Sequence, residues 1–136
     1  MYILDTNVVS ELRKLAITHP NVQAWSTSIP VATTYLSVVT LFEIELGILR
    51  IARKDAVQAT YLRTWRDDQV NVRFAGRILP IDPIVARTCA TLHVPDPRPD
   101  RDAYIAATAI VHGLTVVTRN VGDFAPMGVK LLNPWA

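Results

Sequence analysis

Twelve acidic residues stand in the 136-residue chain, and four fall where a helix–strand protein has little structural use for a carboxylate: Asp5, Glu43, Asp102 and Asp123. Asp5 directly follows the apolar triplet Tyr2-Ile3-Leu4. Glu43 sits in the first turn of the helix expected after a second strand, and Asp102 opens an Ala-rich helical run. Asp123 follows the strand expected to end at Thr118. Binding sites of open α/β sheets form beyond the carboxyl ends of the strands. All four acids therefore have a route to one edge of one sheet. Each also has a purely structural reading. Asp5 can cap a helix, as can Thr6 and Asn7, and Thr40-Leu41-Phe42-Glu43 has the spacing of a capping box. Asp100 and Asp102 suit a helix N-terminus, and Asp123 suits a turn. Four independent caps need not converge, so convergence is what separates the two readings.

Converging carboxylates repel one another and raise some of their pKa values unless a cation is bound among them. An all-oxygen acidic set suits a hard cation, Mg²⁺ or Mn²⁺. Such an ion can lower the pKa of a bound water, orient it for in-line attack on a phosphodiester and stabilise the leaving oxygen. Acids also keep a nucleic-acid backbone out unless a metal and flanking arginines offset them.

The elements that must position these residues read as an α/β domain, because short apolar runs alternate with longer helical patterns. Strands are expected at Tyr2–Leu4, Thr34–Val38, Ile78–Ile81, Leu114–Thr118 and near Val129–Leu132. Helices are expected over Val8–Lys14, Val22–Ser28, Leu41–Arg53, a long stretch Ala56–Arg77, Pro83–His93, and the run from Ala103 to Val111. That last helix is apolar almost all round and should be deeply buried, with Gly113 as its C-terminal cap. Three prolines make 94–100 a loop. The length fits one domain, 1–136.

Half the residues are apolar and 19% are charged, so the chain should fold. No apolar run approaches the ~20 residues of a membrane span, and the start lacks a signal-peptide pattern. Cys89 is alone, which excludes a disulfide framework and a cysteine zinc site; a cytoplasmic protein is expected. The net charge is +2, but 11 of the 14 basic residues are Arg, six of them between Arg50 and Arg77. Arginine suits phosphate, although an ordinary solvated helical face explains these positions better on charge alone. His19, His93 and His112 form no catalytic or metal-binding pairing, and His112 reads as a helix C-terminal residue. Without paired histidines to serve as general acid and base near neutral pH, a phosphodiester cleavage at these acids would use metal-activated water as its nucleophile. Cys89 reads as core, and Trp25, Trp65 and Trp135 as packing residues rather than base-stacking ones.

Four segments in order, Asp5-Thr6-Asn7, Glu43-Ile44-Glu45-Leu46-Gly47, Asp102-Ala103-Tyr104-Ile105-Ala106-Ala107-Thr108-Ala109 and Thr118-Arg119-Asn120-Val121-Gly122-Asp123-Phe124, resemble the PIN domain. More narrowly the chain resembles the VapC-family toxins, and Leu132-Asn133-Pro134-Trp135 their FitB-like branch. The resemblance runs essentially end to end. It implies a three-layer α/β/α domain with a central parallel sheet of four to five short strands, and a metal-dependent endoribonuclease. Asp5, Glu43, Asp102 and Asp123 match the family's four acids. Thr118 and Asn120 match its polar support, and Asn7 completes the first motif. The family further implies a homodimer and a cognate VapB-like antitoxin that blocks the acidic groove and makes any DNA contacts. Asp100 competes with Asp102 for the third position, and Glu45 with Glu43 for the second.

Three rivals remain at the level of sequence. An aspartyl-phosphate phosphatase usually has a second acid where this chain has Asn7, and needs a suitable lysine among Lys14, Lys54 and Lys130. A non-catalytic binding module would not need four intact acids. A PIN-type RNA-processing nuclease without a toxin role differs only in its biological setting. No readout motif discloses which RNA is cut.

Overall fold

The computed structural model describes residues 1–136 throughout. Five parallel strands form the sheet in the order β3-β2-β1-β4-β5, with β1 (Tyr2–Leu4), β2 (Thr34–Ser37), β3 (Ile78–Leu79), β4 (Thr115–Val117) and β5 (Leu131–Leu132). β1 is central, pairing Ile3 with Tyr35 on one side and with Val116 on the other. Thr118 N–H donates to the Leu132 carbonyl at 3.0 Å, which carries the β4–β5 ladder one residue past the strand. Parallel strands require crossovers, and here these are helices on both faces, giving three layers.

Strand side chains alternate between faces, and the core divides accordingly. Ile3 and Val116 pack with Val85, Cys89, Phe124 and the alanines of α7 (Asp100–His112) on one face. Leu4, Leu36 and Val117 pack with Val8 and Val9 of α1 (Thr6–Leu12), Ile44 and Ile48 of α3 (Val38–Ala52) and Leu62 of α4 (Ala56–Trp65) on the other. Ala103, Ala106, Ala107 and Ala109 are at most 1% exposed, so α7 lies close against the sheet and against α6 (Pro83–Leu92). The short α2 (Pro20–Ser28) follows α1, with Tyr2 edge-on to Trp25 at 5.4 Å. No helix is long and apolar enough to cross a membrane.

All five expected strands form, although β3 and β5 are only two residues each. Two expectations about helices change. α3 begins directly after β2 at Val38, because the Ser37 hydroxyl, at the N-cap, accepts from Val39 N–H at 3.0 Å. The capping box expected at Thr40–Glu43 therefore does not form, and Glu43 lies in the second turn, free to serve elsewhere. The long helix expected over 56–77 divides into α4, a π-helical turn at Arg66–Val70 and α5 (Asn71–Arg73). It stops before Gly76, whose φ is +76°. The segment 93–99 is non-helical as its prolines require, and a one-turn helix α8 (Val121–Phe124) carries Asp123.

α7 ends at Gly113, where φ is +68° and Leu114 N–H returns to the Ala109 carbonyl at 2.8 Å. A Cβ placed there meets nothing within 4 Å, so only the backbone resists one. Gly113→Ala is expected to destabilise the fold by about 1–2 kcal/mol, the strain of a left-handed non-glycine residue, read as a lower urea midpoint with an unchanged m-value.

Candidate active site

Three strands place their carboxyl ends side by side at one edge. Asp5 follows β1 there, its N–H still bonded to the Val117 carbonyl at 2.9 Å. Its side chain is both cap and cluster member. Oδ1 accepts from Thr6 N–H at 2.8 Å. Oδ2 accepts from the Thr118 hydroxyl at 2.7 Å and from Asn7 Nδ2 at 3.3 Å. Every partner is a donor, which specifies a carboxylate rather than an amide. Burial raises the Asp5 pKa, the bonds from Thr118 and Thr6 oppose that rise, and Glu43 and Asp123 add to it.

Thr118 is fully buried and is the hub of the support. Its hydroxyl oxygen, besides donating to Asp5, accepts from Asn120 N–H at 2.9 Å and from Asn7 Nδ2 at 3.3 Å. Asn7 Oδ1 in turn accepts from Arg119 N–H at 3.3 Å. Of the three polar residues expected beside the acids, Asn7 and Thr118 bond Asp5 directly, whereas Asn120 reaches only Thr118, through its backbone N–H.

Glu43 faces the same edge from α3. Its Oε1 accepts from the Thr6 hydroxyl at 2.8 Å, which also stands 3.2 Å from the buried Thr40 hydroxyl. Its Oε2 lies 3.7 Å from Arg101 Nη1. Glu45, two residues on and so turned by about 200° around the helix, points elsewhere: Arg66 Nη1 holds it at 2.7 Å. Arg66 also grips Asp67 at 2.9 Å. Asp102, in the first turn of α7, is half-buried, and its pKa is pushed up to about 6, first by burial and then by Asp5, Asp123 and Glu43. Asp100 instead points outward, its side chain 84% exposed, with Oδ1 3.6 Å from His93 Nε2. Glu43 and Asp102 thus face this edge, whereas Glu45 and Asp100 are turned away from it. Asp123 is exposed, yet its charge reaches both Asp5 and Asp102.

The four acids therefore share one electrostatic neighbourhood, and Arg101–Glu43 is the only ion pair any of them makes. No three acidic, histidine or cysteine side chains stand close enough to enclose an ion as they are. An oxygen donor set with uncompensated charge still fits Mg²⁺, which keeps several waters and takes only one or two carboxylates directly.

Two participants carried no sequence signal of their own. Thr6 reads as a spare cap but orients Glu43, and Arg101 is one charge among alternating Asp and Arg. The arginine-rich middle third serves mainly structure: Arg77 donates to the carbonyls of Val31, Thr34 and Arg73, and Arg66 to Glu45 and Asp67. Trp65 and Trp135 pack against the core beneath Arg13 and Arg119, and Cys89 is buried.

Residues 2–127 match the family model of the PIN domain. The chain belongs to the PIN-domain family. Among curated relatives, the VapC ribonuclease Y4jK of Sinorhizobium fredii is 36% identical over 140 residues, covering 99% of this chain and 98% of that protein. Toxin FitB of Neisseria gonorrhoeae is 39% identical over 144 residues, covering 99% of each. In three dimensions this PIN domain resembles the crystal structure of FitAcB from Neisseria gonorrhoeae with a TM-score of 0.90, at 36% identity and 99% coverage of each chain. It resembles FitAB bound to a DNA fragment with a TM-score of 0.86, at 34% identity and over 100% of this chain and 96% of that one.

Two expectations follow from this geometry. Because the folded state raises the Asp102 pKa from 3.8 to about 6, it holds that proton more tightly than the unfolded chain. Stability of the metal-free protein should therefore fall as pH rises from about 4 to about 6 and stay lower above. Asp102→Asn removes this penalty. It should stabilise the chelator-treated protein at pH 7.5 by about 1–2 kcal/mol, the cost of ionising this carboxyl reduced for its partial exposure, and the gain should vanish near pH 4 in denaturant titrations. Thr118→Val should cost about 1–3 kcal/mol, the penalty for stranding buried polar groups, whereas Thr118→Ser should recover most of it in the same titrations.

Proposed function

We propose that residues 1–136 form one PIN domain acting as a divalent-metal-dependent endoribonuclease, the toxin of a type II toxin–antitoxin pair. One observation carries the reading: Asp5 after β1 and the acids of α3, α7 and α8 gather at one sheet edge, where the charges of the others help to raise the pKa values of Asp5 and Asp102, with one loosely held cation among them. A purely structural set of caps would not couple in this way. The relatives named ribonuclease and toxin, matched over nearly the whole chain, supply the reaction class and the biological setting.

Asp5, Glu43, Asp102 and Asp123 are the residues proposed to hold Mg²⁺ (or Mn²⁺), directly or through its waters. A divalent cation bound there would supply Lewis acidity for water attack on an RNA phosphodiester and charge to meet the leaving oxygen. The chain's own contribution is orientation. Thr118, Asn7 and Thr6 N–H fix both oxygens of Asp5, the Thr6 hydroxyl fixes Oε1 of Glu43, and the buried α7 fixes the backbone of Asp102. Fixed dipoles and carboxylates of this kind need no rearrangement when the reaction occurs.

The FitAB and FitAcB neighbours support a VapB-like antitoxin as partner, with a basic side chain covering the acids and DNA contacts made by that partner. An apolar groove of about 270 Å³ between α1 and α4, lined by Val9, Leu12, Trp65 and Phe74, offers contact area apart from the acids. A homodimer and a cytoplasmic location complete the proposal. A PIN nuclease that processes RNA without poisoning its host is the second reading, favoured if expression without antitoxin leaves growth unchanged.

Asp102→Asn should lower RNA cleavage by at least about 100-fold, the scale of losing one oriented electrostatic group, while circular dichroism stays unchanged. Mapping of the RNA ends should show 5′-phosphate and 3′-hydroxyl termini. Cyclic 3′-phosphates would replace water by the 2′-hydroxyl as nucleophile, and full activity in the variant would remove Asp102 from the site.

A further inference from the structure

An acidic groove that must receive a polyanion needs a cation of its own at the right place, and the chain supplies one. Arg101 lies in the first turn of α7, between Asp100 and Asp102. Its Nη1 is 3.7 Å from Glu43 Oε2, too long for a strong charge-assisted hydrogen bond. Its guanidinium carbon sits 4.9 Å from the centre of the Phe42 ring, and Phe42 is 53% exposed. The Arg101 side chain is itself 49% exposed. The group is thus held in place by a flat aromatic surface while its ionic partner holds it weakly, since exposed pairs contribute little. Planar guanidinium matches phosphate oxygens with two parallel donors, and the cation–π contact with Phe42 keeps it beside the ring. The arginines of the middle third that the structure ties down, Arg66 and Arg77, are committed to Glu45, Asp67 and backbone carbonyls. Arg101 alone combines contact with one of the four acids, access to solvent and a replaceable partner.

We propose that Arg101 is the phosphate-binding residue of this groove: it rests between Glu43 and Phe42 in the free protein and exchanges Glu43 for a backbone phosphate when RNA enters. The exchange leaves the carboxylate of Glu43 available to the acidic set at the moment substrate arrives. The contact with the Phe42 ring persists through the exchange, so the side chain turns about a fixed support. This inference rests on the ribonuclease reading and adds to it the residue that overcomes the groove's repulsion of its substrate.

The test is binding of a fluorescently labelled single-stranded RNA, followed by anisotropy with Ca²⁺ in place of Mg²⁺ and with gels confirming intact RNA. Arg101→Ala should weaken binding roughly 10-fold and reduce the slope of log affinity against log salt by about 0.7, one phosphate contact on a single strand. Arg101→Lys should keep the slope and recover only part of the affinity. Arg50→Ala, which removes an equal charge from an exposed position at the far end of α3, should change affinity less than 2-fold. In a Glu43→Gln background the loss on removing Arg101 should persist or grow, because the resting partner has gone. Unchanged affinity and slope in Arg101→Ala would overturn the assignment. So would an equal loss from Arg50→Ala, which would reduce the effect to net charge, or disappearance of the Arg101 effect in Glu43→Gln, which would make it act through that acid alone. Failure of the unaltered protein to bind RNA would instead remove the ribonuclease reading, and this inference with it.

Discussion

The hydrogen bond from Thr118 to Asp5 joins the ends of two neighbouring strands inside the protein, and the acidic edge is organised around it. A carboxylate only 5% exposed is costly unless donors surround it. Asp5 meets that condition by gathering Thr6, Asn7 and Thr118, three residues drawn from two separate segments. Their convergence fixes the direction of Asp5. The same bonds fix where β4 must stop and how the loop to α8 leaves it, because the Thr118 hydroxyl also accepts from Asn120. The remaining acids are placed relative to this centre.

Their mutual repulsion is opposed by the apolar structure beneath. α7 brings Asp102 to the edge on a backbone locked by Ala103, Ile105, Ala106 and Ala107, each without exposed surface. α3 brings Glu43 by burying Val39, Thr40, Ile44 and Ile48 around it. Hydrophobic burial on both faces of the sheet therefore holds together charges that would otherwise separate. Local instability of this kind is expected where a protein keeps a functional arrangement.

Much of this was legible before any coordinates. The strands could be read because each is a short apolar run ending at a polar residue, and α7 because its alanines persist around the whole helix. The acids stood out because Asp5, Glu43 and Asp123 come after such strand runs and Asp102 opens the Ala-rich helix. Other features depended on tertiary contacts that no local pattern records. The start of α3 shifted because Ser37 could cap directly from the strand, which a search for the Thr-x-x-Glu spacing passes over. The choice between Glu43 and Glu45 needed the position of Arg66, twenty-one residues away. The divergence of Asp100 and Asp102 follows from the helical turn, and the structure adds that Asp100 is the one facing solvent. Arg101 gave no signal because its meaning lies in Phe42 and Glu43 on another helix.

The pairing of β5 with β4 reaches further than its two residues suggest. Thr118 N–H is bonded to Leu132, so the backbone that carries the Asp5 donor is clamped from its outer side by the last strand. Trp135, pinned through its carbonyl by Asn21 and covered by Arg119, anchors that strand in turn. Loss of the Trp135 anchor would thus loosen, from a distance, the backbone whose hydroxyl orients the first acid.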